Sequence, residues 1–129
     1  MIQYNVGLVG LGVMGANLLL NLESHGFSGI GYDIKRETAL AFAQKAEGKK
    51  LDVAKSFKEL AEKLAAPRKV MVMVPAGSAV DEALKALSQV LEPGDIIATG
   101  TPEGIAPVER EDLIECTITG LGSLVNQVV

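Results

Sequence analysis

The sequence predicts an α/β fold, a doubly wound parallel sheet followed by an antiparallel β-hairpin at the C-terminus. Short apolar runs alternate with helical patterns from residue 6 to about residue 98, and this alternation is typical of parallel strands joined by right-handed crossovers. Residues 69–74, KVMVMV, are almost wholly apolar, as in a strand that is covered on both faces. After residue 98 the helical periodicity stops and an alternation of period two follows, which indicates the hairpin.

The chain has 129 residues, so we expect one domain (1–129), with 1–97 as the layered part and 98–129 as a loop and hairpin. Its formal net charge of -4 argues against a nucleic acid partner, because such proteins carry a basic face. No apolar stretch approaches the roughly 20 residues that span a bilayer. The single cysteine and the absence of a signal-like start predict a cytoplasmic protein without a membrane partner.

The first half of the chain predicts two strands and two helices. The first helix has Met14, Leu18 and Leu22 at helical spacing, with Leu19 alongside, and Gly26 closes it. Residues 49–54 remain ambiguous between a loop and a short edge strand. In chain order, the predicted elements are a strand at 6–9, a helix at 13–25, a strand at 30–32 and a helix at 36–46.

The second half predicts two more helices with capping residues. Ser56 and Glu59 form a capping box for a helix that we expect to end near Ala66, and Ser78 is the predicted cap of the next helix. We expect Cys116, on the apolar face of the hairpin, to be a buried thiol. The predicted elements are strands at 69–74 and 95–98, a helix at 79–91, and hairpin strands at 113–119 and 123–129.

The motif G-x-G-x-x-G spans residues 10–15, between the first strand and the first helix, and Asp33 ends the second strand. In that context the motif is typical of a Rossmann-like fold that binds a dinucleotide. Gly10 permits the tight turn, Gly12 leaves the backbone open to the pyrophosphate, and Gly15 lets the helix pack closely on the strand. The alternative is that the three glycines serve packing alone.

Asp33 bears on which coenzyme binds. A carboxylate at this position accepts hydrogen bonds from the ribose hydroxyls of NAD and repels the 2′-phosphate of NADP. Lys35 and Arg36 follow directly and would counter that repulsion, so the sequence favours NAD over NADP without excluding NADP. An ordinary carboxylate at a strand end is the alternative interpretation of Asp33.

Residues 1 to about 97 resemble the N-terminal coenzyme domain of 6-phosphogluconate dehydrogenase. The matching segments are 7–18, 21–22 with 25–27, 66–69, 74–77 and 79–81. The resemblance implies a Rossmann fold, a nicotinamide coenzyme and a decarboxylating oxidation of a phosphorylated sugar acid. It also implies that the loop Val74-Pro75-Ala76 lies against the coenzyme.

The chain departs from that family at two places. Many members carry Asn-Arg-Thr where this chain has Asp33-Ile34-Lys35, and Ile34 cannot bind a 2′-phosphate as their arginine does. The family's substrate-contacting asparagine and serine positions hold Pro102 and Glu103 here. These 129 residues do not include the helical domain that supplies the family's catalytic lysine and glutamate, so we expect binding without efficient turnover and assign no catalytic residue.

The tail, residues 91–104 and 112–126, resembles the C-terminal region of fumarylacetoacetate hydrolase-like enzymes. The resemblance implies a pocket-lining role for Thr99-Gly100-Thr101, whereas that family's metal ligands lie in a segment that this chain does not match. Both resemblances include the stretch around 94–97, which indicates an artificial or recombined chimera joined there. A scaffold without selected activity and a hydrolase of the fumarylacetoacetate type are therefore alternatives to a coenzyme-binding domain.

The predicted site contains cofactor-binding residues only. His25 is interpreted as a helix-end residue, the acids of residues 103–115 as a solvated loop without a metal site, and Met14, Met71 and Met73 as core residues. Thr99 and Thr101 are weaker candidates for contact with nicotinamide. We expect a dinucleotide coenzyme as the partner, and a homodimer through exposed apolar surface is a further possibility. The predicted cofactor-binding residues are Gly10, Leu11, Gly12, Val13, Met14, Gly15, Asp33, Lys35, Val74, Pro75 and Ala76.

Overall fold

A computed structural model describes residues 2–101 and 104–129, and these residues form a five-stranded parallel sheet and a separate two-stranded antiparallel hairpin. Pro102 and Glu103, which replace the asparagine and serine of the resembled family, lie outside the described residues. The elements are β1 (Val6–Val9), α1 (Val13–Ser24), β2 (Gly29–Tyr32), α2 (Arg36–Ala46), β3 (Leu51–Val53), α3 (Phe57–Glu62), β4 (Lys69–Val72), α4 (Ser78–Leu87), β5 (Ile96–Ala98), β6 (Leu113–Ile118) and β7 (Gly122–Gln127).

The order of the sheet is β3-β2-β1-β4-β5. The central strand β1 pairs with β2 on one side and with β4 on the other, and all these pairs are parallel. The predicted doubly wound arrangement is therefore confirmed, and the ambiguous segment 49–54 contains the edge strand β3. The chain reverses its direction of winding between β1 and β4, and in such sheets ligands bind at the carboxyl ends of the strands beside that point.

Two apolar clusters cover the two faces of the sheet. One contains Leu60 of α3 and Leu87 of α4, and the other contains Leu19 of α1 and Phe42 of α2. All four side chains are almost completely buried. Strands covered by helices on both faces need apolar side chains in both directions, which explains the continuous apolar run of β4.

The buried face of α1 differs from the predicted one. Its buried residues are Gly15, Ala16 and Leu19, whereas Met14 is 74% exposed. The interpretation of Met14 as a core residue was wrong, because the missing side chain of Gly15 brings the first turn against the backbone of Gly10. This close approach centres the packing face on Gly15 and turns its neighbour Met14 outward.

The C-terminus of α1 confirms the role predicted for Gly26. The N–H of Gly26 donates to the carbonyl of Glu23 at 2.9 Å, and the N–H of Phe27 donates to that of Leu22 at 3.1 Å. This is the Schellman pattern, and Gly26 has the positive φ of 91° that the motif requires. The helix predicted at 36–46 coincides with α2.

Helix α3 is shorter than predicted, because it ends at Glu62 rather than near Ala66. Its N-terminus has the predicted cap, since the Ser56 side chain accepts a hydrogen bond from the Glu59 N–H at 3.1 Å. The reciprocal bond of the predicted capping box is shifted by one residue, because the Glu59 carboxylate accepts from the Lys55 N–H at 2.7 Å. After the helix, Leu64 forms a parallel bridge with Tyr4, and the Ala65 N–H donates to the Tyr4 carbonyl at 3.0 Å. These contacts draw residues 63–65 into extended pairing with the segment before β1.

Strand β4 and helix α4 also end earlier than predicted. β4 ends at Val72, opposite the last residue of β1, so residues 73–74 leave the sheet at its carboxyl edge. Ser78 is the first residue of α4 and not its cap. The cap is Gly77, whose φ of 99° favours glycine, and no side chain caps this helix. α4 ends at Leu87 instead of residue 91, because the N–H groups of Gln89 and Val90 donate to carbonyls three residues back rather than four, which ends the α-helical pattern in tighter turns.

The hairpin forms as predicted but is not covered by other described residues. β6 and β7 pair in register from Leu113↔Gln127 to Ile118↔Gly122, and every residue of both strands is exposed. The prediction that Cys116 is buried was therefore wrong, because nothing in 2–101 or 104–129 packs on the apolar face of the hairpin. No helix in these described ranges has the length and apolarity needed to cross a membrane.

Candidate functional site

The glycine-rich turn connects the carboxyl end of β1 to α1. The N–H of Gly10 donates to the carbonyl of Tyr32 at 2.8 Å, which keeps the turn beside the end of β2. Gly10 has a φ of 100°, and a side chain there would strike the carbonyl of Met73. At Gly12, by contrast, an added Cβ would meet no atom within 4 Å, so the turn faces open space at this residue.

The first turn of α1 leaves its backbone N–H groups without a capping side chain, because Gly12 occupies the cap position. Free N–H groups at a helix N-terminus, together with the helix dipole, favour a bound anion. The open space above Gly12 therefore suits a phosphate that approaches the backbone, which is the role predicted from the motif.

Asp33 follows β2 and connects the turn to the start of α2. Its Oδ2 accepts a hydrogen bond from the Leu11 N–H, and its Oδ1 accepts one from the Lys35 N–H, each at 2.8 Å. These two bonds fix the plane of the carboxylate at the edge of the turn. Each carboxylate oxygen has a second lone pair, so both can still accept a hydrogen bond from a ligand hydroxyl.

A cavity of about 490 Å³ lies at the carboxyl ends of β1, β2 and β4. This volume is within the usual range of small-molecule and cofactor sites. The cavity occupies the point at which the winding of the sheet reverses, where a dinucleotide is expected in this topology. Its walls are Val9, Gly10, Gly12, Tyr32, Asp33, Ile34, Lys35, Thr38, Phe57, Met73, Val74, Pro75, Ala79, Glu82 and Ala83.

Six of the eleven residues predicted from the sequence line this cavity, and five do not. Leu11 contributes its backbone N–H to Asp33 while its side chain is buried. Gly15 lies beneath the turn, and Val13 and Met14 are exposed on α1. Ala76 and the weaker candidates Thr99 and Thr101 are also outside the wall. The six that line it are Gly10, Gly12, Asp33, Lys35, Val74 and Pro75.

One wall of the cavity, formed by residues of α3 and α4, was not predicted from the sequence. Phe57 begins α3, and its ring packs on Tyr32 at a centroid distance of 4.5 Å. Ala79, Glu82 and Ala83 lie on one face of α4, as their spacing of three and four residues requires. This spacing could have been noticed in the sequence, because α4 directly follows the loop that the resemblance placed at the coenzyme.

Two ion-paired clusters stabilise the sheet outside this cavity. The Nζ of Lys63 lies 2.9 Å from Oδ2 of Asp52 and 2.9 Å from Oε1 of Glu59. Burial acts to raise the pKa of Asp52, but hydrogen bonds from Lys63 and other donors outweigh it and lower that pKa. The pKa of Tyr4 is raised, mainly by burial and to a smaller extent by the negative charge of Asp52. These groups satisfy one another, so the cluster is structural.

The second cluster links β5 to the segment before β4. Arg68 Nη1 lies 3.0 Å from Oδ2 of Asp95, and the N–H groups of Arg68 and Glu92 donate to the same carboxylate at 2.7 and 2.9 Å. The hydrogen bond from the Glu92 N–H is the main cause of a lowered pKa at Asp95, with further contributions from Arg68. Asp95 thus precedes β5 rather than beginning it as predicted, and the role of its side chain was not predicted from the sequence.

Within the part of the chain that the structure describes, the histidine and the cysteine lie outside the cavity wall. His25 caps the end of α1, where its Nδ1 lies 2.8 Å from the Asn21 carbonyl. Cys116 lies on the hairpin. Across residues 2–101 and 104–129, no three or more His, Cys, Asp or Glu side chains are grouped so that they could hold a metal ion.

Comparison with known proteins gives a consistent family. Residues 5–113 match the sequence model of the NAD-binding domain of 6-phosphogluconate dehydrogenase. A decarboxylating 6-phosphogluconate dehydrogenase of Haemophilus influenzae is 44% identical over 100 residues, covering 77% of this chain and 21% of the relative. That of Chlamydia pneumoniae is 41% identical over 123 residues, covering 93% of this chain and 26% of the relative.

A solved structure of Plasmodium falciparum 6-phosphogluconate dehydrogenase, described with its cofactor NADP+ and with its substrate 6-phosphogluconate, superposes with a TM-score of 0.67 at 39% identity. The superposition covers 72% of this chain and 20% of that protein. The chain thus spans about a fifth to a quarter of the length of these relatives. The matches extend past residue 97, where the sequence analysis placed a join, and they give no support to a fumarylacetoacetate hydrolase-like tail.

Proposed function

Because this chain belongs to the family of the NAD-binding domain of 6-phosphogluconate dehydrogenase, we propose that it binds a nicotinamide dinucleotide in the cavity beside the glycine-rich turn. The observation that carries the proposal is the pairing of Gly12 with Asp33. Open space lies above Gly12, and a carboxylate fixed by two backbone N–H groups lies at the edge of the same cavity. A phosphate and a ribose diol are the groups that suit these two features.

Each segment of the predicted site receives a role in this proposal. The backbone of residues 10–15 holds the pyrophosphate, and Asp33 accepts hydrogen bonds from the hydroxyls of the adenosine ribose. Val74 and Pro75 form an apolar wall of the cavity. Leu11, Val13, Met14, Gly15 and Ala76 act through the backbone of the turn and of the loop and make no side-chain contact.

We propose NAD in preference to NADP. The carboxylate of Asp33 would lie where a 2′-phosphate must be, and Ile34 beside it offers no positive charge. Lys35 is the one cation among the residues that line the described cavity, and it would offset part of the repulsion. The Plasmodium falciparum relative is described with NADP+, so the preference of this chain depends on its own residues at 33–35.

Coenzyme binding is the activity that we assign to these residues, and turnover is not. The charged side chains of the cavity wall are Asp33, Lys35 and Glu82, and the proposed pose places all three near the adenosine half. None of them then reaches a substrate hydroxyl at the nicotinamide. The decarboxylating oxidation performed by the relatives is therefore not proposed for this segment alone, and we name no catalytic residue.

The homodimer, the cytoplasmic location and the fumarylacetoacetate hydrolase-like tail remain predictions. The apolar face of the hairpin, with Ile118 61% and Leu124 63% exposed, is the feature that favours self-association. Sedimentation at several protein concentrations tests the dimer.

Hydrolysis of an acylpyruvate with added Mg²⁺ or Mn²⁺ tests the hydrolase alternative. We expect this chain to show no such activity.

Thermal unfolding with NAD, NADP and their reduced forms tests the proposed function. A ligand at a hundred times its dissociation constant stabilises the folded state by about 2.7 kcal/mol, so we expect the melting temperature to rise by roughly several degrees. A larger shift with NAD than with NADP supports the role of Asp33. No shift with any of the four at millimolar concentration would contradict coenzyme binding.

A further inference from the structure

The cavity has one apolar slot that the proposed function leaves without an assigned ligand group. Away from the glycine turn, apolar side chains from the segment before α2 and from α3 and α4 line its wall, together with Lys35, Thr38 and Glu82. A flat heteroaromatic ring suits such a slot, because ligand pockets combine apolar walls with a few placed polar groups. The apolar side chains of this slot are Ile34, Phe57, Ala79 and Ala83.

The adenine base is the part of the coenzyme that this slot would hold. This step rests on the proposed function, in which Asp33 binds the adenosine ribose and the turn binds the pyrophosphate. The base is attached to that ribose, and Ile34, Lys35 and Thr38 directly follow Asp33 along the wall. The nicotinamide half lies across the pyrophosphate from this slot.

Glu82 is the polar side chain that α4 contributes to this slot. It is flanked on the same helical face by two small residues, Ala79 and Ala83, which leave room for a ring beside it. Glu82 is exposed and forms no salt bridge within the described part of the chain. Asp33, by contrast, already accepts two backbone hydrogen bonds. Glu82 is thus a carboxylate on the cavity wall that no salt bridge within the described residues engages, and Lys35 is the cation that lines the same cavity.

We propose that Glu82 recognises the base by accepting a hydrogen bond from the 6-amino group of adenine. A carboxylate is an acceptor only, and hydrogen bonds with one charged partner are stronger than neutral ones. A dinucleotide in which hypoxanthine replaces adenine carries a carbonyl oxygen at that position, so two acceptors would oppose each other. Glu82 is accordingly a residue that determines base specificity.

Calorimetric titration with NAD and with nicotinamide hypoxanthine dinucleotide tests this proposal. For the unmodified chain we expect NAD to bind about tenfold more tightly, the size of one hydrogen bond to a charged group. In Glu82→Gln that ratio should fall close to one, because a carboxamide can turn to donate or to accept. The matched control is Asp81→Asn, at the adjacent position of α4 and outside the cavity wall, and it should keep the original ratio.

The outcomes separate the two proposals. If NAD binds and Glu82→Gln keeps the tenfold ratio, the recognition of adenine by Glu82 is wrong while coenzyme binding stands. If the unmodified chain binds both dinucleotides equally, the inference is also wrong. If neither dinucleotide binds the unmodified chain, the proposed function fails and this inference fails with it. Melting temperatures of both variants, which we expect to lie within roughly a few degrees of the parent, establish that they are folded.

Discussion

Oδ2 of Asp33 lies 2.8 Å from the backbone nitrogen of Leu11 and accepts its hydrogen bond. The carboxylate at the end of β2 is thereby joined to the glycine-rich turn after β1, 22 residues earlier in the chain. One side chain thus orients the turn and presents its remaining lone pairs to the cavity. The position of the phosphate-binding backbone and the choice of coenzyme therefore depend on the same residue.

Asp33→Asn should weaken the binding of NAD about tenfold or more. A carboxamide has one acceptor oxygen, whereas the backbone N–H groups and the ribose hydroxyls together use both oxygens of the carboxylate. The loss for NADP should be smaller, since the repulsion of its 2′-phosphate disappears with the charge. Calorimetric titration of both coenzymes measures the change in their ratio. Asp81→Asn serves as the control, and an equal loss for NAD and NADP would contradict the role of Asp33 in selection.

Gly12→Val should abolish coenzyme binding and leave the fold intact. The backbone at Gly12 is extended, with φ at -63° and ψ at -172°, which a branched residue tolerates, and an added Cβ meets no atom within 4 Å. The valine would occupy the space assigned to the pyrophosphate. We expect a melting temperature within roughly two degrees of the parent and no shift with NAD. Parent-like binding would exclude this turn as the phosphate site.

Gly15→Ala, in the same turn, is expected to destabilise the fold. Its Cβ would strike the carbonyl of Gly10 and lie 2.8 Å from Cδ2 of Leu8. Overpacking of this kind costs about 1–3 kcal/mol, so urea denaturation should give a lower free energy of unfolding. A stable Gly15→Ala variant would mean that α1 can move away from β1 without cost.

The local parts of the site were predictable, and the parts made by tertiary packing were not. The turn at 10–15 and Asp33 belong to a single strand-helix-strand unit, so their roles follow from the spacing of a few residues. Glu82 joins them only because α4 follows β4, and β4 lies beside β1. That neighbourhood depends on the order of the strands, which a motif does not contain.

The errors in the predicted elements have the same origin. The core face of α1 was assigned from apolar spacing, yet the packing of Gly15 on Gly10 rotates that face and exposes Met14. Alternation in β6 predicted an apolar face, which exists, but the period of a strand does not say whether another element covers it. Cys116 was therefore placed on the right face and given the wrong exposure.

Cys116 provides a direct measure of whether a second copy covers the hairpin. In the structure of a single chain this thiol is exposed, so an aromatic disulfide reagent should modify it in the native protein about as fast as in urea. The reaction is followed by absorbance at low and at high protein concentration. Protection that increases with concentration would contradict a free hairpin and would support the predicted homodimer. Ile118→Thr, on the same face, should remove any such protection.

Asp95→Asn tests the link between β5 and Arg68. The side chain of Asp95 is 5% exposed, and the variant leaves donors around it partly unsatisfied, so the free energy of unfolding at pH 7 should fall by about 1–3 kcal/mol. Hydrogen bonds from Glu92 and Arg68 lower the pKa of Asp95 in the folded state. The charged form therefore stabilises the fold fully above the unfolded pKa of about 3.9, and this contribution is lost as the pH falls through the lower native value.

The difference between the parent chain and Asp95→Asn should consequently be constant from pH 7 to about 5 and should narrow below pH 4 or so. Urea denaturation of both proteins at pH 7, 5 and 3 measures this difference, with Glu115→Gln on the exposed strand β6 as a control that should follow the parent throughout. If the difference in the free energy of unfolding stays unchanged down to pH 3, the shape of the Asp95 side chain and not its charge positions Arg68. If that difference becomes smaller on acidification, the ionised carboxylate of Asp95 is the group that stabilises the edge strand β5 beside β4.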